Sequence, residues 1–139
     1  MNKKIFGIVA VPGSGKTWIT KQLGDKFHLC HHDLHLGMAG GAYVEAILEA
    51  AETATKPLLI EMPFSMRDIM EPLEQEGFEI EPVFIVEDPD LLSRRYELDR
   101  GKPIPKGHLT RMATYAQRAK AMGAFAGTSS QVLEHLKNV

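Results

Sequence analysis

Gly13-Ser14-Gly15-Lys16-Thr17 sets two glycines, an ammonium and two hydroxyls in five consecutive residues. Those are the groups that gripping a polyphosphate requires. Gly13 and Gly15 let the backbone bend so that successive N–H groups converge on one anion. Lys16 can place its ammonium on the β- and γ-phosphates, and the Thr17 hydroxyl can ligate Mg²⁺. The whole stretch, Ala10-Val11-Pro12-Gly13-Ser14-Gly15-Lys16-Thr17, is a phosphate-binding loop of the Walker A type with Ala10 at the position of the usual first glycine. That position opens the turn, and a methyl group there is a small change. Pro12, Gly13, Ser14, Gly15, Lys16, Thr17 and Trp18 are therefore the candidate nucleotide contacts, with a nucleoside triphosphate and Mg²⁺ as the expected ligands. The guanine-reading Asn/Thr-Lys-x-Asp motif is absent from the sequence, which leans the nucleotide towards ATP.

Transfer chemistry needs acids and further cations. Leu58-Leu59-Ile60-Glu61 ends an apolar run in a carboxylate, the place for a second Mg²⁺-organising group; the alternative is an ordinary exposed strand terminus. An earlier apolar run, the expected second strand, ends in Cys30-His31-His32-Asp33-Leu34-His35. Asp33 is the candidate general base for a hydroxyl acceptor, and it could also cap a helix. His31 and His35 stand at i, i+4 without a third ligand, so they read first as substrate-pocket or surface residues. A basic segment follows from Arg94 to Lys106. A moving phosphoryl group needs cationic clamps, and Arg meets two phosphate oxygens at once. Arg95 and Arg100 are the candidate clamps, with Arg94 and Lys102 as second choices. Arg111 and Arg118, seven apart, share one helix face towards the acceptor or solvent. Thr128 and Ser129 can read the adenine edge, cap the last helix, or do both.

Something must bring these residues together. Apolar runs and helical patterns alternate. Strands are expected at Lys4–Ala10, Phe27–His31, Pro57–Met62 and Pro82–Val86, with a minimal one at Ala124–Ala126. Helices are expected at Lys16–Gly24, Gly41–Thr53, Met66–Glu76 with a kink at Pro72, Asp90–Asp99, Lys106–Met122 and Ser129–Asn138. Trp18, Ile19 and Leu23 would form the apolar face of the first helix. Continuous apolar strands separated by helices predict βαβ units and a parallel sheet covered on both faces. The expected fold is a three-layer α/β P-loop NTPase domain, kinase-like, with ligands at the carboxyl ends of the strands. One domain of residues 1–139 is expected, with a lid at about 94–106.

Composition narrows the class. No apolar run of about 18 residues exists, so no membrane span is expected. Met1-Asn2-Lys3-Lys4 runs into the first strand without a cleavable small-residue site, so no secretory signal is expected. The single cysteine, Cys30, excludes an internal disulfide, reads as a small core residue and fits a reducing cytoplasm. Net charge is −2, yet residues 94–120 carry eight basic and two acidic groups. That excess of +6 leaves −8 elsewhere and marks a phosphate-facing segment, not a chain built for broad nucleic-acid binding.

Together these pieces resemble the P-loop kinases of the type found in the kinase half of phage polynucleotide kinase, and more distantly zeta-toxin, gluconate and adenylylsulfate kinases. The resemblance runs over nearly the whole chain. It rests on Val11–Thr17, on Arg94-Arg95 followed by Arg100-Gly101-Lys102 and Ile104-Pro105, and on Thr128-Ser129. It implies γ-phosphoryl transfer from ATP with Mg²⁺, a lid that closes over the phosphates and a compact, phage-like enzyme. The acceptor side departs from the family's Arg-Asp-Asp-aromatic-Arg run, which leaves either His32 or Asp33 at the base position.

An ATP-dependent kinase acting on a hydroxyl, including a polynucleotide 5′-OH, is the leading expectation. A nucleoside or nucleoside monophosphate kinase is the alternative. From other classes come a nucleotide-binding regulatory module without transfer and a plain NTPase. The paired arginines speak against the module, because binding alone needs no lid cations. Glu61 is the one visible group for positioning water in an NTPase.

Overall fold

The computed structural model describes residues 3–31 and 41–139. Its strands are β1 (Lys4–Val9), β2 (His28–Cys30), β3 (Leu58–Glu61), β4 (Glu79–Ile85) and β5 (Phe125–Gly127). The helices are α1 (Lys16–Gln22), α2 (Gly41–Thr53), α3 (Arg67–Gln75), α4 (Pro89–Arg100), α5 (Lys106–Met122) and α6 (Ser129–Lys137). The strands form one five-stranded parallel sheet in the order β2-β3-β1-β4-β5, the three-layer α/β P-loop architecture. No helix among the described residues is long and apolar enough to cross a membrane. β4 begins three residues earlier than the sequence indicates. Glu79-Ile80-Glu81 does not read as a buried run, yet the Glu79 N–H donates to the Lys3 carbonyl at 2.8 Å and extends the ladder. α3 runs through Pro72. Pro72 is the sixth of its nine residues, and the N–H it lacks removes one intrahelical bond.

By internal contacts the chain divides into two compact units, Met1–Val9 with Gly24–Pro82 and Ala10–Leu23 with Val83–Val139. In the first, β1 and β3 pair with Ile8 opposite Glu61, and β3 pairs with β2 as far as Cys30. Leu58, Leu59 and Ile60 are all buried, as a strand covered on both faces requires. Phe6 and Phe27 meet edge to face at 5.6 Å between centroids. Tyr43 and Ile47 of α2 and Ile69 and Leu73 of α3 complete the apolar interior.

The second unit holds the phosphate loop, α1, the end of β4, α4, α5, β5 and α6. Ile19, Phe84, Leu92, Tyr115, Val132 and Leu136 are among its buried side chains. Strong end signals fix its helices. Asp88 Oδ1 accepts the N–H groups of Asp90 and Leu91 at 3.0 and 3.1 Å, and Pro89 opens α4. Gly101 closes α4 and Gly123 closes α5, both left-handed at φ 68° and 65°. Trp18 departs from expectation. Ile19, Thr20 and Leu23 are buried, but Trp18 is 48% exposed, because its position falls outside the arc of α1 that these three share.

Candidate nucleotide-binding site

β1 ends at Val9, and the chain then turns through residues 10–15 into α1. Gly13 and Gly15 adopt φ values of 86° and 95°, a region that side-chain-bearing residues avoid. Gly15 also lacks space for a side chain, whereas Gly13 is held to glycine by its φ alone. A Cβ on Gly15 would sit 3.0 Å from the Ser129 Cβ and 4.0 Å from Arg95 Nη1. One on Gly13 would sit 3.5 Å from Leu92 Cδ1, 3.6 Å from Tyr96 Cδ2 and 3.9 Å from Arg100 Nη1. The loop is thus seated on α4 and on the head of α6. Between the glycines, Ser14 is buried, and its hydroxyl has no hydrogen-bond partner among the described residues. A buried hydroxyl without a partner is uncommon and costly, and an anion's oxygen held by this loop would satisfy it. Lys16 is half-buried at the first position of α1, while Pro12 and Thr17 are exposed. The loop's chemistry and shape fit a nucleotide's phosphates.

The two arginines singled out in the sequence both lie at this loop. Arg95 Nη1 stands 3.6 Å from a carboxylate oxygen of Glu87, whose side chain is 2% exposed. The other Glu87 oxygen accepts the Ser129 N–H. Arg100 lies against Tyr96 with its guanidinium carbon 4.5 Å from the ring centroid, and the His108 ring meets Tyr96 edge-on at 5.5 Å. Burial, then the charges of Arg111 and Arg100, hold the His108 pKa below its usual value. Arg94 and Lys102 are exposed. Arg118 lies over the Tyr115 ring at 5.9 Å.

Glu61 belongs to the first unit. It is buried, so it is not the exposed terminus that was the alternative reading. Its backbone N–H donates to the Tyr43 hydroxyl at 3.1 Å, and that hydroxyl lies 2.8 Å from the Glu61 carbonyl and 3.1 Å from the Cys30 carbonyl. Its carboxylate stands 3.5 Å from His31 Nδ1. Burial pushes the Cys30 thiol pKa up to about 11, although the residue is only half-buried and not a core residue. Asp33, His32 and His35 lie outside the described residues, and with them the candidate base. No cluster of three or more His, Cys, Asp or Glu side chains suited to a metal occurs among the described residues. The Thr17 hydroxyl beside the phosphate loop is a hard oxygen donor of the kind that suits Mg²⁺, an ion that takes few protein ligands and keeps phosphate and water oxygens.

Thr128 forms a capping box at α6. Its hydroxyl accepts the Gln131 N–H at 3.3 Å, and the Gln131 side chain accepts the Thr128 N–H at 2.9 Å. Ser129 is buried against the phosphate loop. Sequence reasoning missed Glu87. The signal was available, because Phe84-Ile85-Val86-Glu87 ends an apolar strand in an acid just as Leu58-Leu59-Ile60-Glu61 does.

Fold and loop define an α/β protein of three-layer P-loop architecture. No protein-family model matches the chain, and no curated protein matches it. Solved structures do. The tunicamycin resistance protein of Deinococcus radiodurans is similar at a TM-score of 0.70 and 14% identity, covering 97% of this chain and 93% of that one. A gluconokinase from Sinorhizobium meliloti gives 0.60 and 14%, covering 95% and 88%. A sugar kinase from Janibacter gives 0.57 and 15%, covering 98% and 92%. At such identities the likeness carries the fold.

Proposed function

We propose that this chain is an ATP-dependent phosphotransferase that moves the γ-phosphoryl group to the hydroxyl of a small molecule or of a nucleic-acid 5′ end. The observation that carries this reading is the delivery of Arg95 and Arg100 by one helix to the two glycines of the phosphate loop. Binding a nucleotide needs the loop and Lys16. Cations added above the glycines serve charge that shifts as the phosphoryl group moves. Solved kinases of small molecules share the architecture, which supports the same reading.

In this scheme the loop N–H groups and Lys16 bind the β- and γ-phosphates. Thr17 would hold Mg²⁺, which neutralises charge on the phosphate oxygens. The acceptor oxygen attacks the γ-phosphorus, the bond to the β–γ bridging oxygen breaks, and ADP leaves. Asp33 takes the acceptor's proton. Arg95 and Arg100 stabilise the phosphoryl group in transit. The excess of basic residues between 94 and 120 also supports an anionic acceptor, which keeps a nucleoside monophosphate as a second substrate class.

The test is incubation of the purified protein with γ-labelled ATP, Mg²⁺ and a panel of a 5′-hydroxyl oligonucleotide, nucleosides, nucleoside monophosphates and sugars. Label on one acceptor class supports the reading and names the class. Label released only as inorganic phosphate makes the protein an NTPase, and nucleotide binding without turnover makes it a binding module.

A further inference from the structure

Glu87 is a buried acid to which the scheme above gives no part. It follows β4 by two residues and immediately precedes Asp88, which caps α4. A carboxylate this far from water persists only where partners compensate its lost hydration. Its partners are the Ser129 N–H on one oxygen and Arg95 Nη1, 3.6 Å from the other. Both flank the same point of the phosphate loop, since Ser129 and Arg95 are two of the groups that a side chain on Gly15 would meet. One carboxylate therefore ties a cation on α4 to the head of α6 beneath the loop. Arg95 is 39% exposed, so this tether restrains a side chain otherwise free to sample solvent.

We propose that Glu87 is a positioning residue for Arg95. It holds one nitrogen of the guanidinium beside Gly15 and leaves the remaining donors of the fork for phosphoryl oxygens. The cation is thereby in place before the phosphoryl group moves. The consequence for rate rests on the phosphotransferase reading; the tether itself does not. A carboxylate acting only as a support for α6 would be replaceable by any group that accepts the Ser129 N–H. That is the difference the experiment uses.

Glu87→Gln keeps an acceptor for Ser129 and removes the charge that holds Arg95. Transfer from MgATP to water, or to the acceptor found in the panel, should fall by about 10² in kcat, the scale of a misplaced clamp. MgATP affinity by calorimetry should change by less than about threefold, because the phosphate loop is intact. In an Arg95→Ala background the same substitution should add no loss beyond about twofold. The ¹⁵N-arginine spectrum of the wild-type protein should show a slowly exchanging Arg95 Nη–H signal that Glu87→Gln loses. Unchanged kcat, an equal loss in both backgrounds or an unchanged Arg95 signal each overturns the proposal. If Glu87→Gln does not fold, Glu87→Asp keeps the charge with a shorter reach and must show the same kcat loss and altered Arg95 signal. A wild-type protein without transfer defeats the phosphotransferase reading instead, and the Arg95 signal still decides whether Glu87 is its tether.

Discussion

The Tyr43 hydroxyl completes the hydrogen bonding of Glu61 where β2 has run out. β2 ends at Cys30, level with Ile60, while on the other side of β3 Ile8 of β1 stands opposite Glu61. Tyr43 reaches over from α2, accepts the Glu61 N–H and lies within 2.8 Å of the Glu61 carbonyl. One side chain thus fixes the backbone that carries the candidate Mg²⁺-organising acid. Tyr43→Phe keeps the buried ring and strands the Glu61 N–H, which should lower stability by about 1–3 kcal/mol. Urea unfolding measures it, and a loss below about 0.5 kcal/mol would mean that water replaces the hydroxyl at no cost.

Lys16→Ala removes the ammonium that the proposed function sets against the β- and γ-phosphates. Lys16 is half-buried on the first turn of α1, so its loss should leave the fold intact. Transfer should fall on the order of 10³-fold with an unchanged circular-dichroism spectrum. Near-normal turnover of such a folded variant would remove the loop from the mechanism.

Arg100→Ala tests the second cation on α4. Its guanidinium lies on Tyr96 and near Gly13, and among the described residues no carboxylate stands by it as Glu87 stands by Arg95. A group that acts on charge moving in the transition state should lower kcat by about 10²–10³ with little change in ATP affinity. Weakened ATP binding at unchanged kcat would make Arg100 a ground-state clamp.

Much of this was legible in sequence, for identifiable reasons. α2 and α5 begin and end where the pattern places them, because Pro105 and Gly123 bracket α5 and alanines carry α2. β1 is read well because a strand covered on both faces is apolar throughout. β4 is cut short because Glu79-Ile80-Glu81 alternates and Pro82 looks like a start. Trp18 is placed on the wrong face of α1 because a seven-residue helix gives the 3.6-residue period only two turns to show itself. Glu87 carries a local signal, an acid closing an apolar run, but its partner Ser129 lies 42 residues away and no local pattern records that pairing.

His108 gives a pH dependence of known sign. Burial and the charges of Arg111 and Arg100 lower its folded pKa, so the folded chain resists a proton that the unfolded chain accepts near pH 6.5. The neutral imidazole's contribution to stability is present above about pH 6.5 and is lost as pH falls towards the folded pKa. Stability should therefore decline as the solution is acidified from pH 7 to 5, and His108→Gln should flatten that slope. Parallel slopes for the two proteins in urea titrations would assign the acid sensitivity to other groups.

Asp33 decides between the acceptor classes. It lies outside the described residues, and its role rests on being the carboxylate that follows the β2 run, where the strand ends face ligands. A free aspartate has a pKa of about 3.9, so at neutral pH it is ionised and ready to accept a proton. Asp33→Asn preserves size and any helix cap but removes the basic oxygen. With a hydroxyl acceptor, transfer should drop by roughly 10²–10⁴ while MgATP affinity holds. An acceptor phosphate is already ionised and needs no base, so a nucleoside monophosphate substrate would show little loss. The assay is kcat on the best acceptor from the panel, alongside MgATP binding by calorimetry. A loss under about threefold on a hydroxyl acceptor would take Asp33 out of the mechanism, because removal of a general base costs far more.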